Sequence, residues 1–105
     1  MARFDIYPNL GKSIKSVPFL MDIQSELLDH LNSRVVVPMY HYEKFRDIKL
    51  PKDLAPVFKI NGLDCVMQTI EMASVPTSFL KKPVANLSRK QHIITAAMDR
   101  LFNGF

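Results

Sequence analysis

The spacing of apolar and polar residues changes along the chain, and its first third predicts strands. Arg3 to Tyr7 alternates apolar with polar residues, the period of a half-buried strand. A loop of turn-forming residues follows, and Phe19 to Ile23 then predicts a second strand that forms a hairpin with the first. Arg34 to Met39 is a run rich in β-branched residues that predicts a third strand, and Pro38 places it at a sheet edge or a bulge.

The strongest local signal is a hairpin in the middle of the chain. Asn61 and Gly62 separate two apolar runs, Val57 to Ile60 and Leu63 to Thr69. A two-residue type I′ turn requires positive φ at both central positions, and Asn followed by Gly tolerates this conformation. Val75 to Leu80 predicts a further short strand.

Two segments lack a regular period. Glu26 to Leu31 has leucines at helical spacing, but Asn32 and Ser33 end this pattern after little more than one turn, so it predicts a loop with an apolar surface. Residues 40 to 56 contain two prolines and mixed charges, and we expect irregular structure there.

The C-terminal part of the chain predicts one amphipathic helix. Apolar residues recur there every three or four positions, at Ile94, Ala97, Met98, Leu101 and Phe105. Ser88 and Gln91 fit a capping box, which would begin the helix near Ser88. Gly104 supplies a C-terminal stop.

Length and composition indicate one globular domain over residues 1–105. The chain is 48% hydrophobic and 23% charged, and five or six short strands before a terminal helix predict a small antiparallel barrel packed on that helix. The longest apolar runs fall far short of the roughly 20 residues that cross a bilayer. Asp5 interrupts the region where a signal peptide needs an apolar core, so we expect a cytoplasmic protein without a membrane segment.

Residues capable of catalysis are few and scattered. Cys65 is the single cysteine, which excludes an internal disulfide, and its apolar neighbours predict an inert buried thiol. The three histidines, His30, His41 and His92, have no partner at a fixed spacing. The sequence therefore predicts no catalytic residue, no metal site and no cofactor.

The net charge of +4 is concentrated in one stretch. No acidic residue lies between positions 71 and 99, where the chain carries Lys81, Lys82, Arg89 and Lys90. This stretch is either an ordinary solvated surface or a surface that attracts an acidic partner, such as nucleic acid or an acidic protein segment. So small an excess makes sequence-independent DNA binding a weak interpretation.

The chain ends in two phenylalanines, Phe102 and Phe105, although chain ends are normally polar and frayed. Either the rings pack into the core or a dimer interface, or they form a tip that contacts a partner. Exposed aromatic residues are frequent anchors of interfaces.

Several segments together carry a family resemblance. Glu71–Pro76, Val84–Ser88 and Leu101–Phe105 resemble the CcdB toxins of bacterial toxin–antitoxin modules, and Met-Ala-Ser-Val-Pro is the most specific piece. Phe19–Leu28 fits the family's Asp-Val-Gln-Ser stretch, and Arg34–Met39 fits its Arg-x-Val-Ile-Pro-Leu strand. The resemblance covers essentially the whole chain.

The resemblance implies a fold and a mechanism. The fold is mainly β with a C-terminal α-helix, the SH3-like antiparallel barrel of the CcdB, MazF and Kid plasmid toxins, assembled as a homodimer without catalytic activity. The mechanism is poisoning of DNA gyrase: the dimer binds the gyrase A subunit and traps the cleaved DNA–gyrase complex, which serves plasmid maintenance. An acidic, partly disordered CcdA-type antitoxin neutralises the toxin, and DNA is bound specifically only through the antitoxin complex.

The resemblance also implies roles for individual residues. The gyrase-binding residues, carried over by position, are Leu27, Leu28, Asp99, Phe102, Asn103, Gly104 and Phe105. Leu101 would lie at the two-fold axis of the dimer. The best-known member ends in Trp-Gly-Ile where this chain has Asn-Gly-Phe, so the terminal aromatic is displaced. Loop 41–56 matches poorly, and in the family that loop contributes to antitoxin recognition.

Two other function classes are open. A MazF/Kid-like ribonuclease toxin on the same fold would need a basic, polar set in the dimer cleft, for which Arg34 or Arg46 with a histidine are the candidates. A basic nucleic-acid-binding barrel rests only on the small charge excess. RNA cleavage without gyrase favours the first class, and salt-sensitive binding to DNA alone favours the second.

Overall fold

A computed structural model describes residues 1–11, 13–28 and 30–104. Within these ranges the chain forms one antiparallel sheet followed by a single α-helix. The strands are β1 (Asp5–Pro8), β2 (Phe19–Asp22), β3 (Ser33–His41), β4 (Val57–Ile60), β5 (Leu63–Met67), β6 (Ala73–Pro76) and β7 (Ala85–Asn86), and the helix is α1 (Gln91–Asn103). The predicted β1–β2 hairpin is present.

The sheet is a nearly closed barrel whose strand order is β4-β5-β3-β2-β1-β7. The nine-residue strand β3 is its centre. One side of β3 pairs with β2, and the other side pairs first with β6 and then with β5. One long strand that changes partners lets a sheet of short strands curl. The predicted fold, a mainly β SH3-like antiparallel barrel with a C-terminal helix, is confirmed.

Pro38 lies in the central strand, so of the two predicted placements, a sheet edge or a bulge near the end of the strand, the edge is wrong. Next to β2 it lies opposite Leu20 without interrupting the pairing. On the other side of β3, pairing with β6 stops at Val36 and pairing with β5 starts at Met39. The Pro38 carbonyl accepts a hydrogen bond from the Gln68 N–H at 3.1 Å on that side. The missing proline N–H therefore falls at the gap between two partner strands, where no ladder bond is lost.

The central hairpin forms as predicted. Asn61 has φ 51° and Gly62 has φ 82°, so both turn residues take the left-handed conformation that the type I′ turn requires. The turn joins β4 to β5 with Ile60 opposite Leu63.

The helical segment begins at Ser88 and ends before Gly104, as predicted, but its predicted cap is absent. A 3₁₀ turn, Ser88–Lys90, precedes α1, and neither helical segment has a side-chain cap. The Ser88 N–H instead donates to Asn86 Oδ1 at 2.8 Å, so the predicted capping box does not form. Gly104 ends α1 with φ 80°, and its N–H donates to the Arg100 carbonyl at 3.1 Å.

Strand alternation divides the core into two clusters on opposite faces of the sheet. In β1, Ile6 joins the larger cluster and its neighbour Tyr7 joins the smaller one. Ile94 and Ala97 of α1 are buried in the larger cluster, which fixes the helix on the sheet. Cys65 is also fully buried there, and burial raises the pKa of its thiol to about 11.

No helix in the described part of the chain is both long enough and apolar enough to span a bilayer.

Candidate partner-binding site

The C-terminal end of α1 projects an aromatic ring into solvent. The Phe102 side chain is 68% exposed, whereas Ile94 and Ala97, between one and just over two turns earlier, are buried. Asn103 and Gly104 are exposed as well, and Arg100 Nη1 donates to the Gly104 carbonyl at 2.9 Å. The interpretation of Phe102 as a core residue of its own chain is therefore wrong. We call Asp99 and Phe102–Gly104 the helix tip; Phe105 lies outside the described residues.

Helical spacing groups the residues of the tip. Asp99, Phe102 and Asn103 are related by three and four positions, so they share one face of α1, and all three are exposed. Leu101 projects from a different part of the helix circumference and is half-buried. The helix thus separates the predicted gyrase-binding residues from the predicted dimer residue.

A second exposed apolar surface lies in the turn between β2 and β3. Glu26–Leu28 forms a 3₁₀ turn with no buried residue. Leu27 is 88% exposed, and Leu28 and Leu31 are also exposed. This confirms the predicted loop with an apolar surface. We call Glu26–Leu28 the leucine turn.

Within one chain the leucine turn and the helix tip lie apart. A cavity of about 390 Å³ is bordered by Ser25 to Leu27 and by Ser88 and Gln91, so the leucine turn sits beside the start of α1. Phe102 is 11 positions beyond Gln91, which at about 1.5 Å per residue is about 16 Å along the helix. The predicted gyrase-binding residues therefore form two surfaces in one chain.

Sequence reasoning missed a groove between α1 and the segment that precedes β4. Three adjoining cavities of about 450, 480 and 250 Å³ share Ile93 of the helix. Val57, 47% exposed on the edge strand β4, and Ala96 add apolar surface. The basic residues that line the cavities are Lys49, Lys52, Lys59, Lys90, His92 and Arg100. We call this feature the loop–helix groove.

One acidic residue, Asp53, also lines the loop–helix groove. Asp53 Oδ2 lies 3.7 Å from Arg100 Nε, which links the loop to the helix through an exposed ion pair. The sequence signal was the apolar Val57 two positions before Lys59, on the same exposed face of β4. Of the four basic residues between positions 71 and 99, all of which are exposed, Lys90 reaches the groove.

Of the two arginines considered for nucleic-acid cleavage, one is inaccessible and the other is paired. Arg34 is fully buried, and its guanidinium lies 2.8 Å from Asp22 Oδ2, so a substrate cannot reach it. Arg46 is exposed but pairs with Glu43. Among the described residues, no three His, Cys, Asp or Glu side chains are arranged to hold a metal ion.

A comparison with protein-family models agrees with the fold. The model described as CcdB protein matches residues 3–104 of the 105. The match therefore includes the leucine turn, the sheet and all of α1. It covers almost the whole chain, so the chain belongs to the CcdB family of toxins from toxin–antitoxin modules.

Proposed function

We propose that this chain is a toxin that, as a homodimer, binds the A subunit of DNA gyrase and traps the cleaved DNA–gyrase complex. The observation that carries the proposal is the exposed ring of Phe102 on a helix that the core anchors at Ile94 and Ala97. An aromatic residue held rigidly in solvent is a frequent anchor of a protein interface. Membership of the CcdB family supports the same conclusion.

The contact surface in this proposal has two parts. Asp99, Phe102, Asn103 and Gly104 of the helix tip, together with Phe105, form the central part. Leu27 and Leu28 of the leucine turn form a flanking part. The mechanism is inhibition by binding, so it requires no catalytic group and no cofactor in this chain.

The homodimer in this proposal uses the apolar surface beside α1. Leu101 and Met98 are only half-buried in the single chain, and α1 packs beside the 3₁₀ turn Thr69–Glu71, whose Ile70 is 62% exposed. A two-fold axis beside Leu101 covers this apolar surface and brings two helix tips together. Sedimentation should report about twice 12.1 kDa for the wild type. Leu101→Asp should give monomer, because it places two carboxylates at the axis.

The loop–helix groove supports an acidic antitoxin as the second partner. Its apolar residues, Ile93, Ala96 and Val57, suit the apolar side chains of a peptide, and its basic rim suits acidic ones. Charge attraction acts mainly on the association rate and weakens with salt. Lys52→Glu should therefore slow antitoxin association at low salt, and the difference from the wild type should shrink as salt is added.

Controlled expression in isogenic bacteria tests the target. The two hosts differ only in carrying a sensitive or a toxin-resistant gyrase A subunit, and we expect killing of the sensitive host alone. Purified protein with gyrase and plasmid DNA should accumulate cleaved DNA that remains attached to protein. Equal killing of both hosts would refute the gyrase proposal, and RNA cleavage by the purified protein would assign a ribonuclease toxin instead.

A further inference from the structure

A buried polar network lies beneath the leucine turn. Asp22, at the end of β2, and Arg34, in β3, are both fully buried, and Arg34 Nε and Nη2 each lie 2.8 Å from Asp22 Oδ2. Burial raises the pKa of the Asp22 carboxyl, and the Gln24 N–H and the Arg34 guanidinium oppose that change. Burying an ion pair costs desolvation energy, so the Asp22–Arg34 pair adds little net stability by itself. Its structural role lies in the groups that it holds in place.

The pair holds the backbone of Gln24 from both sides. The Gln24 N–H donates to Asp22 Oδ1 at 2.9 Å, and Arg34 Nη2 donates to the Gln24 carbonyl at 3.3 Å. Both backbone groups of Gln24 are therefore fixed just before the chain enters the leucine turn.

The side chain of Gln24 in turn bridges the two ends of the turn. Its Nε2 donates to the Leu28 carbonyl at 3.1 Å and to the Ser33 carbonyl at 3.3 Å. Its Oε1 accepts the Val35 N–H at 3.0 Å. One buried amide thus connects the end of the leucine turn with the start of β3, and both of its donors and its acceptor are used.

Apart from Gln24, the leucine turn is held by hydrogen bonds rather than by packing, since none of its residues is buried. Its N–H groups at Leu27 and Leu28 donate to Ser25 Oγ at 3.2 Å and to the Ser25 carbonyl at 3.0 Å. The Leu28 carbonyl also accepts the Leu31 N–H at 3.2 Å, and the exposed Glu26 Oε1 accepts the Arg3 N–H at 3.3 Å. A mobile turn would have to be ordered when a partner binds, and that entropic cost lowers affinity.

We propose that Gln24 is a positioning residue. The Asp22–Arg34 pair holds its backbone, and its side-chain amide holds the leucine turn, so that Leu27 meets the target in one conformation; we call these bonds of Gln24 the clasp. The inference rests on the proposed function, because the target is the gyrase A subunit. Glutamine alone combines the required reach with two donors and an acceptor. Glutamate has the same shape but would turn a carboxylate toward two carbonyl oxygens, and asparagine is one methylene shorter.

Two variants and a control test the clasp in the free protein. Gln24→Glu removes the donors, and Gln24→Met removes every hydrogen bond of the amide while keeping an unbranched side chain. Gln91→Glu is the control, because Gln91 is exposed and borders the same cavity as Leu27, so it adds the same charge nearby without touching the clasp. Backbone order parameters of Leu27 and Leu28 are measured by NMR relaxation. We expect values of about 0.85 for the wild type and the control, and values below about 0.6 for both Gln24 variants, with α1 unchanged.

Binding to purified gyrase A subunit completes the test. We expect both Gln24 variants to bind about tenfold more weakly than the wild type, because the turn must now be ordered on binding. Unchanged order parameters, or loss of the whole fold in both variants, would overturn the clasp. Mobile leucines with undiminished binding would overturn the positioning role. Leu27→Ala separates the two proposals. If this variant binds the gyrase A subunit as tightly as the wild type, the leucine turn is not part of the contact surface. The order parameters of the Gln24 variants then still test the clasp on their own.

Discussion

The leucine turn and the helix tip both present apolar side chains to solvent, but different forces hold them in place. Leu27 is 88% exposed in a turn tied down by a buried polar network, whereas Phe102 is 68% exposed on a helix anchored by apolar packing. Helical hydrogen bonding carries order from the buried Ile94 and Ala97 to the tip. The turn has no such continuity and depends on a few directional bonds. Two exposed surfaces on one small barrel can therefore lose their order independently of each other.

Removing the buried Asp22–Arg34 ion pair should cause the largest loss of stability. Arg34→Ala leaves the buried Asp22 carboxylate without its ion pair, and we expect a loss of about 3–5 kcal/mol in the free energy of unfolding. Arg46→Ala is the matched control, because Arg46 is 65% exposed and its pair with Glu43 is worth at most about 1 kcal/mol. Urea denaturation of both variants measures the difference. Equal losses would mean that the Asp22–Arg34 pair is not buried in solution.

Truncating a core residue that anchors α1 should cause the second largest loss in the free energy of unfolding. Ile94→Ala opens a cavity beneath α1, and we expect a loss of about 2–4 kcal/mol. Ile14→Ala serves as the control, because Ile14 is 47% exposed and its truncation should cost less than about 0.5 kcal/mol. Thermal unfolding followed by circular dichroism compares the two. A small effect of Ile94→Ala would show that the helix tip is held by something other than core packing.

Removing the exposed ring should separate binding from stability. Phe102→Ala should weaken binding to gyrase A by about 2 kcal/mol, roughly 30-fold, since exposed aromatic anchors dominate interfaces. The melting temperature should change little, because the ring has few contacts within its own chain. Calorimetric titration and a thermal melt of the same sample measure both quantities. A large drop in melting temperature with intact binding would place the functional tip elsewhere.

Gly104→Ala should have a small effect on stability. Gly104 has φ 80°, which costs an L-residue about 1 kcal/mol, but a Cβ built there meets no atom within 4 Å. We therefore expect a slightly frayed tip and a fold that is otherwise intact. Killing should fall even though the fold is retained, because the proposed target passes close to the backbone at Gly104. Unchanged killing by this variant would mean that the target does not approach Gly104.

Some of the molecule was predictable because its causes are local. Asn61-Gly62 determines the turn between β4 and β5, since few other residue pairs take positive φ twice. The spacing of Ile94, Ala97 and Leu101 determines the helix. The predicted apolar surface at residues 26–31 also follows from local pattern, because the helical spacing there is too short to continue.

Other features failed prediction because their causes are distant in sequence. The predicted capping box does not form because Asn86 Oδ1 accepts the Ser88 N–H. Asn86 is placed there by the pairing of β7 with β1. Arg34 looked available for chemistry, but its burial depends on Asp22, 12 positions away. Pro38 indicated an edge because sequence patterns do not show where a strand changes its partners.

The sequence by itself determined the central hairpin and the apolar stripe of α1, because turn chemistry and side-chain period act over a few residues. It left open whether Phe102 lies in the core or at an exposed tip. The family resemblance supplied the list of contact residues. Only the tertiary structure decided that these residues form two surfaces, one beside the start of α1 and one at its end, and that Gln24 joins Leu28 to Ser33 and Val35. Such contacts depend on how strands far apart in the chain are brought together, and no local period encodes that placement.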